Sequence, residues 1–286
     1  MHRVLALAAP LLAAAWPWPP AARARAAALV AQLTQTEKLS LLQGSDEGYY
    51  AGTLPAIPRL GIPEMTLLDS PQGVADGFLY VTAFPSGLCA AASWDEALLE
   101  AFGDAMGAEQ FGKGTNVMLG PGTNLLRAPL NGRMYEYYAE EPLLSGACVA
   151  AVVRGVQARN NVSVTVKHFI ANSQEFHRGN EDAQVSERAL HEMYLPAYLA
   201  AVRAGAGAFM LGVNKVRGVE NSANADTLRL LFDAGFEGFF MTDWAGIVVP
   251  NASAAAWAGT SVEMPRGYQC VLPMAPQNRG AARAPP

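Results

Sequence analysis

Asp243 closes the run Phe239–Thr242, which reads as a buried strand, and Trp244 follows it directly in the stretch GFFMTDWAG. The same placement recurs along the chain. Asp69 ends the apolar run Met65–Leu68, Lys167 and His168 follow Val162–Val166, and Asn214 stands just past Ala208–Leu211. An aspartate attacks as a nucleophile only while ionised, and neighbouring cations favour that form. Carboxylates accept hydrogen bonds, lysine donates them and histidine does either, so the set suits a ligand rich in hydroxyl groups. Polar residues also resume at strand ends for trivial reasons. Five such positions, with a Lys-His pair among them, ask for more than packing.

The elements that would position these residues alternate. Ala27–Leu42, Glu96–Phe111, Leu143–Gln157, Ser186–Arg203 and Leu228–Ala234 have helical patterns. Leu29, Leu33, Leu39 and Leu42 are the expected core contacts of the first. Between them, Met65–Leu68, Val117–Leu119, Val162–Val166, Ala208–Leu211, Phe239–Thr242 and Ser261–Met264 read as short strands. Apolar strands alternating with helices predict parallel β/α units, either closed into a barrel or laid out as an open doubly wound sheet. No Gly-x-Gly-x-x-Gly follows a strand, which counts against a dinucleotide-binding sheet. In a β/α barrel the C-terminal strand ends share one rim, and that rim holds the active site.

The chain has 286 residues, 51% hydrophobic and 16% charged, with a formal charge of −5. That composition supports a sizeable core. No long basic run occurs, so nucleic acid is not an expected partner. Residues 1–26 have a basic start, an apolar run broken by prolines and an Ala-Arg-Ala ending, the layout of a secretory signal peptide. Removing it leaves no run long enough to span a bilayer, so the expectation is a secreted chain without a membrane partner. Asn161 and Asn251 head Asn-x-Ser triplets and are glycosylation candidates. Cys89, Cys148 and Cys270 form no Cys-x-x-Cys, and both one disulfide plus a free thiol and three separate thiols remain open. His191-Glu192 lacks the second histidine of a zinc helix, and no metal or cofactor is expected.

The chain resembles the N-terminal barrel domain of glycoside hydrolase family three, of the β-glucosidase type. The resemblance is carried by LTQTEKLSLLQG, DSPQGV, FPSGLCAAASWDEALLEAFGDAMGAEQFGKG, LGPGTNLLRAPLNGRMYEYYAEEPLLSG, VKHFIANSQE, VSERALHEMYLPAY, GFEGFFMTDWAG and AGTSVEMP, in that order. It runs from about Leu29 to Pro265. It implies a (β/α)8 TIM-like barrel over residues 27–270, with a disordered tail at 271–286. It implies a retaining hydrolase of terminal β-D-glucosyl residues, acting on a β-glucoside or a short β-glucan oligosaccharide. Asp243 matches the catalytic nucleophile. Asp69, Arg133, Lys167 and His168 match residues that bind the sugar hydroxyls, Met210 an apolar contact, and Trp244 the aromatic wall. A retaining glycosidase needs one carboxylate to form a glycosyl-enzyme and a second carboxyl group as acid/base.

Three departures stand against the family pattern. Val213 occupies the place of a tyrosine that would contact the nucleophile, and losing a hydrogen bond to a buried carboxylate costs roughly 1–3 kcal/mol. Family members continue into a second α/β sandwich domain that usually supplies the acid/base, so that domain is expected to be absent here. Glu140, Glu141, Glu175, Glu181 and Glu263 are the unassigned acids, with Glu141 expected to be structural. A barrel left incomplete at its C-terminal end should expose strand edges open to self-association. Three readings follow: an active hydrolase, a catalytically impaired sugar-binding remnant, or a fragment that does not fold.

Overall fold

A computed structural model describes residues 19–247 and 252–267. The strands, in chain order, are β1 (Gly52–Leu54), β2 (Met65–Asp69), β3 (Val117–Leu119), β4 (Ser163–Phe169), β5 (Asp182–Ala183), β6 (Ala208–Leu211), β7 (Lys215–Val216), β8 (Val219–Glu220) and β9 (Phe239–Thr242). The main sheet has the order β1-β2-β3-β4-β6-β9. Every pairing in it is parallel except β1 with β2. β5, β7 and β8 form a small separate sheet beyond the main one.

The helices are α1 (Pro20–Gln32), α2 (Gln35–Ser40), α3 (Gly87–Ala91), α4 (Glu96–Gly112), α5 (Pro142–Arg159), α6 (Glu187–Ala189), α7 (Pro196–Ala204), α8 (Ala225–Asp233) and α9 (Ala252–Ala258). Their starts follow local chemistry. Asp95 caps α4 by accepting from the Ala97 and Leu98 amides at 3.0 Å, and Glu141 caps α5 through the Leu143 and Leu144 amides. Glu141 is therefore structural.

Side-chain alternation divides the sheet into two faces. Leu67, Val117, Leu119, Met210 and Met241 fill the concave face with Leu54, Val262 and Met264. Met118, Val164, Val166, Phe209 and Phe240 point the other way and pack under α4, α5, α7 and α8. Aromatic contacts dominate that outer layer, with Phe209–Phe236 centroids 4.8 Å apart and Phe236–Phe240 5.0 Å apart. Covering both faces explains why the strands are short continuous apolar runs.

Several expectations are corrected. The expected helix 27–42 is two helices, because the chain turns extended at Leu33 and Thr34 then caps α2 in a reciprocal box with Glu37. Of its four expected core leucines, only Leu33 is buried. The expected helix 186–203 is interrupted by a π-turn at Leu190–Tyr194, where the Leu195 amide donates to the Leu190 carbonyl. Pro196 has no amide to continue the ordinary ladder, and the wider turn accommodates it. Ser261–Met264 is not a strand but two single bridges, Met241 with Val262 and Gln43 with Glu263.

The architecture is a mixed α/β fold with a curled half-barrel sheet, in keeping with a TIM-like barrel incomplete at its C-terminal end, and the main sheet has six strands among the described residues. Its edges are not bare, however. Val262 pairs beside β9, Glu263 bridges to Gln43, and Ser45 bridges back to Thr53 of β1. These single bridges take up edge groups that the sequence reading left exposed. Among the described residues no helix is long and apolar enough to cross a membrane. Residues 1–18 of the expected leader, Asn251, Cys270 and the tail 271–286 lie outside the described residues. The expected leader boundary after residue 26 falls inside α1.

Candidate active site

A cleft of about 500 Å³ opens where β2, β4, β6 and β9 end. Asp69, Arg133, Lys167, His168, Met210, Asp243 and Trp244 all line it, beside Asp76, Leu119 and the segment Gly48–Ala51. The residues named from the sequence thus share one cavity. Asn214 does not join them. It is buried beneath the rim, donating through Nδ2 to the carbonyls of Ile170, Ala171 and Lys215, and it ties the loop after β4 to that after β6.

Lys167 and His168 lie within β4, not beyond its end. Consecutive strand residues ordinarily face opposite sides. Here Lys167 pairs with Met210 and Phe169 with Leu211, so His168 is an extra residue in the register. This bulge re-aims the side chains and lets both neighbours reach the cleft.

Glu136 organises the cations on one wall. Its carboxylate accepts from Arg133 Nε at 2.7 Å and Nη2 at 2.8 Å, and its Oε2 lies 3.7 Å from Lys167 Nζ. Burial works against the Arg133 charge, but the Glu136 carboxylate outweighs it and the guanidinium pKa is raised. Lys167 Nζ also donates to Asp69 Oδ1, and Asp76 Oδ2 accepts the Asp69 amide at 3.1 Å. Burial raises the Asp76 pKa.

His168 is fully buried and neutral. Burial first, then Arg133, Lys167 and Arg178, push its pKa well below the ordinary value. Its Nε2 lies 3.7 Å from Asp243 Oδ2, which for a neutral imidazole is not an ion pair. Tyr137 Oη sits 3.2 Å from Nδ1 and accepts from Asn124 Nδ2 at 3.4 Å. Which of the two donates across that contact depends on the imidazole tautomer. Among the described residues Nε2 has no hydrogen-bond partner. A ligand hydroxyl in the cleft would satisfy it.

Asp243 is held at both oxygens. Oδ1 accepts the Trp244 amide at 2.7 Å, and Oδ2 accepts from Arg178 Nη1 at 3.3 Å. The Asp243 amide donates to Leu211 of β6, which fixes the residue to the sheet. Arg178 Nη1 also reaches Glu175 Oε2 at 3.3 Å, while Asn172 donates to Glu175 Oε1 at 3.1 Å. Trp244 borders β1 closely. A Cβ at Gly52 would fall 2.3 Å from Met264 Cε and 3.4 Å from the Trp244 ring, so glycine permits that approach.

Sequence reasoning missed four of these contributors. Glu136 follows Arg133 by three residues, a spacing that could have flagged the pair. Glu175 ends the quoted stretch after β4 and Arg178 lies three residues beyond it, but nothing local aims them at Asp243. Asp76 gave no signal. Glu181, in the same loop, has a buried Oε2 without a hydrogen-bond partner among the described residues, and burial followed by Glu175 pushes its pKa up to about 7. Among the described residues no group of three or more His, Cys, Asp or Glu side chains could hold a metal ion.

A curled, mostly parallel half-barrel thus brings a carboxylate, cations and an indole together at the ends of its strands. Residues 27–271 match the glycosyl hydrolase family 3 N-terminal domain, and the chain belongs to that family, on its β-glucosidase side. It is 38% identical over 242 residues to a beta-glucosidase of Rhizobium radiobacter, covering 82% of this chain and 29% of that protein. It is also 38% identical over 259 residues to beta-glucosidase A of Aspergillus kawachii, covering 84% of this chain and 30% of that protein. The structure of beta-glucosidase 3B from Thermotoga neapolitana in complex with glucose superposes with a TM-score of 0.79 at 37% identity, over 84% of this chain and 36% of that one. The chain thus spans about a third or less of the length of these relatives.

Proposed function

We propose that the cleft binds a terminal β-D-glucosyl residue and that Asp243 attacks its anomeric carbon with retention of configuration. The observation that carries this reading is the fixed carboxylate of Asp243, with one oxygen on the Trp244 amide and the other on Arg178. A nucleophile must be oriented before substrate arrives, and both contacts serve that end. Lys167 and Arg133 offer donors to sugar hydroxyls, Asp69 offers an acceptor, and His168 Nε2 can serve as either. Trp244 supplies an apolar wall, suited to the flat face of a pyranose. The named relatives support glucose as the sugar.

In the first chemical step a bond forms between an Asp243 oxygen and the anomeric carbon as the bond to the leaving group breaks. Asp69, Glu136 and Glu175 are already engaged in ion pairs with Lys167, Arg133 and Arg178, respectively. That engagement favours a second reading, a glucose-binding unit with little turnover of unactivated glycosides. A 2-deoxy-2-fluoro-β-glucoside with a dinitrophenyl leaving group separates the two, because that group departs without protonation. A stable adduct mapped to Asp243, and lost in Asp243→Asn, supports the nucleophile. Calorimetric binding of glucose without an adduct supports the second reading.

We also propose secretion, on the leader-like residues 1–26 and the exposed Asn161-Val-Ser163 acceptor. Expression in a glycosylating host, with sequencing of the mature N-terminus, tests it.

A further inference from the structure

We propose that Asn124 is a positioning residue: acting through Tyr137, it fixes the His168 tautomer with the imidazole proton on Nε2. What this means for a sugar rests on the glycosidase reading above, but the tautomer itself does not. Asn124 is buried behind the cleft rather than in its lining, and so are Tyr137 and Tyr198. The three side chains form a chain of contacts that ends on His168.

The protons can be placed one at a time, starting from an acceptor that cannot change. The main-chain carbonyl of Asn172 only accepts, and Asn124 Nδ2 lies 2.7 Å from it. Turning that amide over would set Oδ1 against the carbonyl, two acceptors with no proton between them. With the amide so oriented, Oδ1 accepts from the Tyr198 hydroxyl, which also reaches the His168 carbonyl at 2.6 Å. The second Nδ2 proton faces Tyr137 Oη at 3.4 Å. The Tyr137 hydroxyl has therefore accepted once, and its own proton needs an acceptor. Among the described residues the acceptor within reach is His168 Nδ1, at 3.2 Å. Were the imidazole proton on Nδ1, Tyr137 Oη would accept twice and its proton would be buried without a partner, a costly arrangement.

An independent observation at the other nitrogen agrees. Nε2 lies 3.7 Å from Asp243 Oδ2. A lone pair there would face a carboxylate, whereas an N–H dipole is attracted to it. At that distance the proton is not spent on a hydrogen bond, so Asp243 stays free to attack and Nε2–H stays free for a ligand. The ligand group meeting Nε2 must then be an acceptor, such as a hydroxyl oxygen. Asn172 also couples this arrangement to the nucleophile. Its carbonyl orients Asn124, while its side chain donates at 3.1 Å to Glu175, which holds Arg178 against Asp243.

The test is nuclear magnetic resonance of the full chain carrying heavy nitrogen in its histidines, without ligand. The signals of His168 are those missing from His168→Gln. Protonated and unprotonated ring nitrogens resonate far apart. In the unaltered protein the Nε2–H form should outweigh the other by roughly tenfold, the worth of one hydrogen bond. A dominant Nδ1–H form overturns the inference. Asn124→Asp replaces the amide donor by an acceptor that competes for the Tyr137 proton, and the ratio should fall by about the same factor. A folded Asn124→Asp with an unchanged ratio denies Asn124 its role. Tyr137→Phe keeps the ring and removes the hydroxyl, so the unprotonated Nδ1 signal should move further from the protonated range as its hydrogen bond is lost. An unmoved Nδ1 signal overturns the route through Tyr137. These spectra do not depend on turnover, so their outcome is distinct from that of Asp243 labelling, which tests the glycosidase reading.

Discussion

Arg178 Nη1 lies 3.3 Å from Asp243 Oδ2, and the same nitrogen lies 3.3 Å from Glu175 Oε2. One guanidinium therefore ties the acid at the end of β9 to the loop that follows β4. The two carboxylate oxygens can be no further apart than twice that distance. Without the cation they would repel, so Arg178 both orients Asp243 and permits the crowding. Glu175 anchors Arg178 and also lies 3.9 Å from Arg133 Nη1.

Arg178→Met should slow labelling of Asp243 by roughly ten- to a hundredfold, the worth of one hydrogen bond to a charged group. Arg178→Lys should recover part of the rate, since the charge returns without the planar fork. Glu175→Gln should slow it less, because it loosens Arg178 without removing it. The labelling rate constants check this. Equal rates in all three variants would make the guanidinium a bystander.

Glu136 is buried between Arg133 and Lys167. Glu136→Gln leaves Arg133 and Lys167 without their shared buried counter-charge. Removing one partner of a buried ion pair costs about 3–5 kcal/mol. Urea unfolding should show a midpoint lowered accordingly. A midpoint near that of the unaltered protein would mean that Lys167 is satisfied by Asp69 alone.

Glu181 makes stability depend on pH. In the folded chain its carboxyl holds a proton up to about 7, against a reference of 4.5, because burial and the Glu175 charge disfavour ionisation. The folded state thus binds more protons than the unfolded state between those values. Its contribution is fully present below about 4.5 and is lost as pH rises through about 7. Glu181→Gln should flatten that part of the melting-temperature profile. An unaltered slope would assign the effect to other groups.

The contact between α4 and α5 needs glycine. A Cβ at Gly155 would fall 2.1 Å from the Glu100 carbonyl and 2.8 Å from the Asp104 amide. Both obstacles are backbone, so a helix must move. Gly155→Ala should cost about 1–3 kcal/mol despite its better helix propensity. Denaturant titration should show a lower midpoint at unchanged slope. Equal or higher stability would mean that the helix pair can separate cheaply.

The strands at Val117–Leu119, Ala208–Leu211 and Phe239–Thr242 were legible residue for residue, because apolar runs buried on both faces have few alternatives. The helices α4 and α5 were legible to within two residues, since Asp95 and the Glu141-Pro142 step mark their starts. The breaks at Leu33 and Pro196 were less so. A helical period continues through both, and only capping at Thr34 and the missing amide of Pro196 interrupt it.

By itself the sequence determined which residue types stand where the apolar runs stop, and so the chemistry available: Asp69, Lys167, His168, Asp243 and Trp244. Local pattern suffices there, because strand ends are set by where apolar runs stop. Tertiary structure alone decided how those groups are charged and held. The bulge that admits His168 beside Lys167 arises from register with β6, and the neutrality of His168 arises from burial among three cations. Arg178 meets Asp243 across 65 positions of chain, and Gln43 meets Glu263 across a still longer span to cover the sheet edge. Such contacts depend on how distant segments come together in space, and no spacing along the chain records them.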